Sequence, residues 1–195
     1  MDFYASRIRE SLALKEAVLQ DAALLDTLEQ VGRLWIETFR RDGKILFCGN
    51  GGSAADAQHI AAELSGPFYL DRAPLYAEAL HVNGSYLTAV GNDYGYAHSY
   101  ERMVRAAGRE GDVLVAISTS GNSENIVLAA RAAKERGMSV VGLTGEGGGA
   151  LASLCDHLLA VPSKTTPRIQ EIHILLGHLL CERTEAALFG PEAEL

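Results

Sequence analysis

The sequence predicts an α/β protein, a three-layer αβα sandwich built on a mostly parallel five-stranded sheet and preceded by two N-terminal helices. Two observations carry this. Short, apolar, β-branched runs alternate with helical stretches from residue 44 onward, and twenty glycines against five prolines in 195 residues suit many tight strand-to-helix turns rather than a low-complexity linker. With 48% hydrophobic residues the chain can bury one substantial core, so a single domain is expected, with helices over 1–42, the αβα core over 43–190 and a short tail over 191–195.

Leu24, Leu28, Val31, Trp35 and Phe39 recur at offsets of four and three, which marks a helix with one wide apolar stripe. Ile8, Leu12 and Leu19 suggest another before it. Two helices ahead of a sheet can cap the core or pair with the same helices of a second chain, so a homo-oligomer is compatible with the pattern. Then come "KILFCGN", "SYLTAVGN", "DVLVAISTSGNS", "MSVVGLTG" and "DHLLAVPS", each read as a strand followed by a helix. In a parallel sheet of this kind ligands gather at the carboxyl ends of the strands, and "GNGGS", "GND" and "STSGNS" are all expected there.

A net charge of −8 excludes a broad basic field, and with it general binding to nucleic acid or to an anionic membrane. An anionic small ligand is still compatible, held locally by backbone amides and hydroxyls. Cys48, Cys155 and Cys181 have no paired spacing, which suggests neither a disulfide framework nor a thiolate zinc site and fits buried thiols in a reducing cytosol. The N-terminus lacks the apolar centre of a signal peptide, and no apolar run is long enough to span a bilayer; a cytoplasmic protein is expected.

"GNGGSA" fits the dinucleotide fingerprint at Gly49, Gly51 and Ala54. That fingerprint needs an acidic residue ending the next strand, and Asp71, at the right spacing, falls in the proline-containing loop "YLDRAPLY". The nucleotide reading loses its second anchor. In "ISTSGNSEN", Ser118, Thr119, Ser120 and Ser123 set four hydroxyls around a glycine at a helix start, where a cap needs only one. The surplus fits a phosphate cradle, and the absence of a G-x-x-x-x-G-K-S/T loop argues against a nucleoside triphosphatase.

His59 and Glu63, four apart, share one helical face and can form a solvated ion pair, bind a metal or move a proton. The terminal helix carries Gln170, Glu171, His173 and His178 among apolar residues, and His178 with Glu182 can be merely structural. Gln170 and His178 are about 12 Å apart along a regular helix, so one metal would need a long reach, a distortion or a second subunit to be held by both.

Taken together, "CGNGGSAADAQHIAAEL", "VGNDYGY", "GREGDVLVAISTSGNSENI" and "RIQEIHILLGHLL" resemble the phosphoheptose isomerases of the sugar isomerase (SIS) superfamily, over nearly the whole chain. The resemblance implies a flavodoxin-like SIS fold in which Ser118, Thr119, Ser120 and Ser123 hold a sugar phosphate. It implies that Asn50, Gly51, Gly52, Ser53, Asn92 and Asp93 line the sugar, together with Glu63 and Gln170. It implies one zinc ion per subunit on His59, Glu63, Gln170 and His178, with Glu63 and His178 as the acid/base pair. It further implies a homotetramer with sites between subunits. The activity implied is conversion of sedoheptulose 7-phosphate to D-glycero-D-manno-heptose 7-phosphate, at the entry to ADP-heptose and lipopolysaccharide synthesis. Pro67 in "LSGPF" departs from the family pattern, where a basic residue often follows the glycine. The rival reading is a non-catalytic SIS module that binds sugar phosphate or a replication-initiator partner; it would keep the hydroxyl cradle without the His59, Glu63, Gln170 and His178 set.

Overall fold

A computed structural model describes residues 2–191. The expected tail over 191–195 lies, apart from Pro191, outside the described residues. Helices α1 (Phe3–Gln20) and α2 (Ala22–Arg40) come first, joined at Asp21, whose side chain accepts from the Leu24 amide at 3.0 Å and caps α2. The stripe predicted for α2 is the buried one: Leu24, Val31 and Trp35 enter the core. Helix α1 differs. Only Val18 is buried, while Ile8, Leu12 and Leu19 are exposed together with Phe3 and Tyr4.

Five strands follow: β1 (Ile45–Gly49), β2 (Ala77–Ala79), β3 (Val113–Ser118), β4 (Ser139–Thr144) and β5 (His157–Ala160). They form one sheet in the order β2-β1-β3-β4-β5, and every neighbouring pair is parallel. Side chains alternate between the faces of each strand, and both faces are covered. Ile45, Phe47, Val113, Val115, Val141 and Leu143 meet Val31, Trp35, Ile60, Leu64, Ile172 and Leu176 on one side. Leu46, Cys48, Leu114, Ala116 and Val140 meet Tyr100, Val104, Ile126 and Ala130 on the other. Trp35 packs edge-on against Phe47, ring centroids 5.7 Å apart, an arrangement that adds about 1 kcal/mol to simple burial.

The crossovers are α3 (Gly52–Ser65), α4 (Gly84–Tyr94), α5 (Ser99–Ala107), α6 (Glu124–Glu135) and the terminal α7 (Thr166–Phe189). One expected strand is a helix. "SYLTAVGN" lies in α4, whose cap Asn83 accepts from the Tyr86 amide at 3.0 Å. Its apolar residues suit either state over so short a run, and the Asn-Gly-Ser start decides for helix. The second strand is instead the three-residue edge "AEA", which pairs Ile45 with Ala77 and Phe47 with Ala79.

Candidate active site

The strand order reverses between β1 and β3, because the chain leaves β1 into α3 on one face and β3 into α6 on the other. That switch point opens a crevice at the carboxyl ends of the two strands. The turn out of β1 depends on Gly51, which has φ +56° and caps α3 without a side chain. At Gly52 a Cβ would lie 2.5 Å from Gln170 Nε2, so a larger residue there would displace the Gln170 side chain.

In the crevice a cavity of about 150 Å³ is lined by Asn50, Ser53, Ser118, Thr119, Ser123, Thr166 and Gln170, with Ile117 at its base. The first turns of α3, α6 and α7 all face it, so it combines hydroxyls with the amide ends of three helices, a setting for an anion that needs no lysine. Ser123 occupies the cap position of α6 but makes no side-chain cap bond; its Oγ lies 3.1 Å from Ser118 Oγ. The hydroxyls are therefore held for one another rather than spent on the helix end. Ser120 stands apart, exposed, with its Oγ accepting from the Asn122 amide at 3.1 Å.

Asn50 and Asn125 exchange two hydrogen bonds of 2.9 Å, each Nδ2 donating to the other's Oδ1, and so bridge the crevice from the β1 turn to α6. Tyr96 donates its hydroxyl to Asn50 Oδ1 at 3.0 Å, and Tyr100 donates to the Gly49 carbonyl at 2.5 Å. Burial pushes the Tyr100 hydroxyl well above its ordinary pKa, so it acts here as a donor.

Farther along α3 and α7 a second cluster forms. His59 Nε2 is 2.9 Å from His178 Nε2 and 3.3 Å from Glu63 Oε1. The ligating atoms of His59, Glu63 and His178 all lie within 4.8 Å of one another. Two imidazoles and a carboxylate at that spacing are the donor set of a catalytic zinc site with a position left for substrate, so the residues fit the ion. One turn earlier, Asp56 has a buried oxygen without a partner among the described residues, and burial pushes its carboxyl up to about 6 against the opposing pull of His59.

The two clusters draw on the same two helices, α3 and α7. Ser53 and His59 are six residues apart on α3, about 9 Å, and Gln170 and His178 are eight apart on α7, about 12 Å. Gln170 lines the hydroxyl cavity, so its expected metal role rests on the resemblance alone. Asn92 and Asp93 are not at a strand end as expected. They lie exposed in the last turn of α4, where Asn92 Nδ2 donates to Asp93 Oδ1 at 2.8 Å. Sequence reading missed Thr166, signalled only by "TTP" at a helix start, and Asn125 and Tyr96, whose roles arise from contacts 75 and 46 residues away.

The fold is that of SIS proteins, and similarity to known proteins agrees. The family described as SIS domain matches residues 8–145. The phosphoheptose isomerase of Aneurinibacillus thermoaerophilus is 53% identical over 188 residues, covering 96% of this chain and 95% of that protein. That of Clostridium acetobutylicum is 48% identical, covering 99% and 98%. The structure of phosphoheptose isomerase from Neisseria gonorrhoeae superposes with a TM-score of 0.88 at 48% identity, covering 94% of this chain and 97% of that one. The chain belongs to the SIS domain family and, within it, to the phosphoheptose isomerases.

Proposed function

We propose that this isomerase converts sedoheptulose 7-phosphate to D-glycero-D-manno-heptose 7-phosphate through an enediol. The observation that carries the reading is the pairing of a hydroxyl-lined cavity with the His59, Glu63 and His178 cluster on the same two helices, α3 and α7. A sugar with its phosphate at one end and its carbonyl at the other has that polarity: the phosphate suits Ser118, Thr119 and Ser123, and the reacting carbons fall toward Glu63 and His178. Ser53 and Gln170, which also line the cavity, would bind the hydroxyls between them.

Ketose and aldose differ by the position of one carbon-bound proton and one oxygen-bound proton. Glu63 takes the proton from carbon 1 while His178 delivers one to the carbonyl oxygen on carbon 2, giving the enediol. Glu63 then returns a proton to carbon 2 and His178 removes one from the oxygen on carbon 1. His59 Nε2 lies between them, 2.9 Å from His178 Nε2 and 3.3 Å from Glu63 Oε1. His59, Glu63 and His178, with Gln170 at the family's fourth position, would hold a zinc ion, which when bound would polarise the substrate carbonyl.

The exposed Phe3, Tyr4, Ile8 and Leu12 on α1 support assembly through this helix, in keeping with a homotetramer. No helix among the described residues is long and apolar enough to cross a membrane, and Cys48 and Cys181 are buried thiols, which suits a cytoplasmic enzyme feeding ADP-heptose synthesis. Identity of 53% to a phosphoheptose isomerase over nearly the whole chain, with His59, Glu63 and His178 clustered, favours the enzyme reading over a non-catalytic module. Incubation with sedoheptulose 7-phosphate is expected to yield the aldoheptose phosphate; starting material alone after prolonged incubation with zinc contradicts the reading.

A further inference from the structure

Arg72 and Glu185 form an ion pair of 2.9 Å in which each side chain is only 3% exposed. Buried ion pairs are poor sources of net stability, and a carboxylate with so many donors around it has been placed for geometry. Glu185, on α7, accepts from three consecutive amides, Phe68 at 3.1 Å, Tyr69 at 2.8 Å and Leu70 at 3.1 Å, as well as from Arg72 Nε. Burial pushes its pKa up, but these four bonds outweigh it and hold the carboxyl below its ordinary value.

Arg72 then reaches back to the end of α3. Its Nη1 donates to the Leu64 carbonyl at 2.8 Å and its Nη2 to the Glu63 carbonyl at 3.0 Å. These are carbonyls of the last helical turn, which have no partners within the helix and which a cation suits. The guanidinium thus grips the backbone of Glu63 itself. On the other side Glu185 stands seven residues, two turns, beyond His178 on α7, and the loop it anchors sets Phe68 against the His178 ring at a centroid distance of 6.0 Å. A bridge of Glu63 carbonyl, Arg72 and Glu185 connects the helix carrying one member of the reacting pair to the helix carrying the other.

We infer that Arg72 and Glu185 are positioning residues for the isomerisation, a buried brace that sets Glu63 relative to His178. The inference rests on the reading of those two residues as the acid/base pair. Arginine is required because one planar group must donate to a carboxylate and to two carbonyls at once, which an ammonium on a flexible stem does not do in the same geometry. The brace touches none of the residues that line the hydroxyl cavity.

The test uses the full-length protein and the variants Arg72→Lys, Glu185→Gln and the double variant, assayed with sedoheptulose 7-phosphate well below each variant's melting temperature. The expected result is a kcat lower by tenfold to a hundredfold in each single variant, with KM changed less than threefold. The double variant falls no further than the worse single, because both residues act through one bridge. Kcat within threefold of wild type in folded variants, or losses that multiply in the double, overturns the brace. Should a variant not fold, Arg72→Lys with its charge retained still decides. Wild-type protein that shows no isomerisation contradicts the underlying reading instead, a separate outcome.

Discussion

His59 Nε2 lies 2.9 Å from His178 Nε2 although the two residues are 119 positions apart, one on α3 and one on α7. With Glu63 Oε1 at 3.3 Å from His59 Nε2, these facing nitrogens form a compact ligand set. Titration calorimetry with zinc is expected to show one strong site per chain in wild type. Replacing His178 by Ala should weaken it at least tenfold; unchanged affinity would place the metal elsewhere.

Ser123 sits at a helix cap without capping, so its removal separates two roles. Ser123→Ala should leave the melting temperature within about 2 °C of wild type, where loss of a working cap, worth about 1 kcal/mol, would lower it more. The cost should appear in the substrate: one lost bond to a phosphate raises KM by about tenfold. Inorganic phosphate as a competitive inhibitor should weaken in parallel.

His173 is fully buried on α7, its Nε2 3.0 Å from the Thr144 carbonyl, and burial lowers its pKa from 6.5 to about 4. The unfolded chain takes up the proton first as pH falls, so the stabilisation is complete above about 6.5 and is lost between there and about 4. The loss amounts to about 3 kcal/mol. Urea unfolding at pH 7.5 and pH 4.5 should show it, and His173→Leu should remove most of the difference.

The apolar row Ile8 and Leu12 on α1 is exposed at 61% and 58%, which a soluble helix has little reason to carry alone. Sedimentation of wild type is expected to give a tetramer, and Ile8→Asp with Leu12→Asp a smaller species. A wild-type monomer at micromolar concentration contradicts assembly through this helix.

Much of this site was legible because its chemistry is local. The hydroxyls around Gly121, the glycine turn at Gly51 and the four-residue spacing of His59 and Glu63 announce themselves on short stretches of chain. Strands β1, β3 and β4, rich in Val, Ile and Leu, are equally plain. Strand β2 was hidden because Ala77, Glu78 and Ala79 have no strand preference and gain their state only by pairing with β1. The run from Ser85 to Asn92 is more apolar and β-branched and so has the stronger strand signature, which puts Asn92 and Asp93 at a strand end that the fold does not have. The partnership of Asn50 with Asn125, and of Arg72 with Glu185, is a product of tertiary packing across 75 and 113 residues, which no local pattern encodes.

The central claim is that Glu63 moves a proton between adjacent carbons of a heptose phosphate. The most direct measurement is NMR of sedoheptulose 7-phosphate in deuterated buffer with zinc, using wild-type protein and Glu63→Gln. The account predicts aldoheptose phosphate carrying solvent deuterium at carbon 2 from wild type. It predicts a folded Glu63→Gln variant with turnover lower by a factor of about 10²–10⁴. Ligand line-broadening without conversion by wild type, or near-normal turnover in the variant, would contradict it.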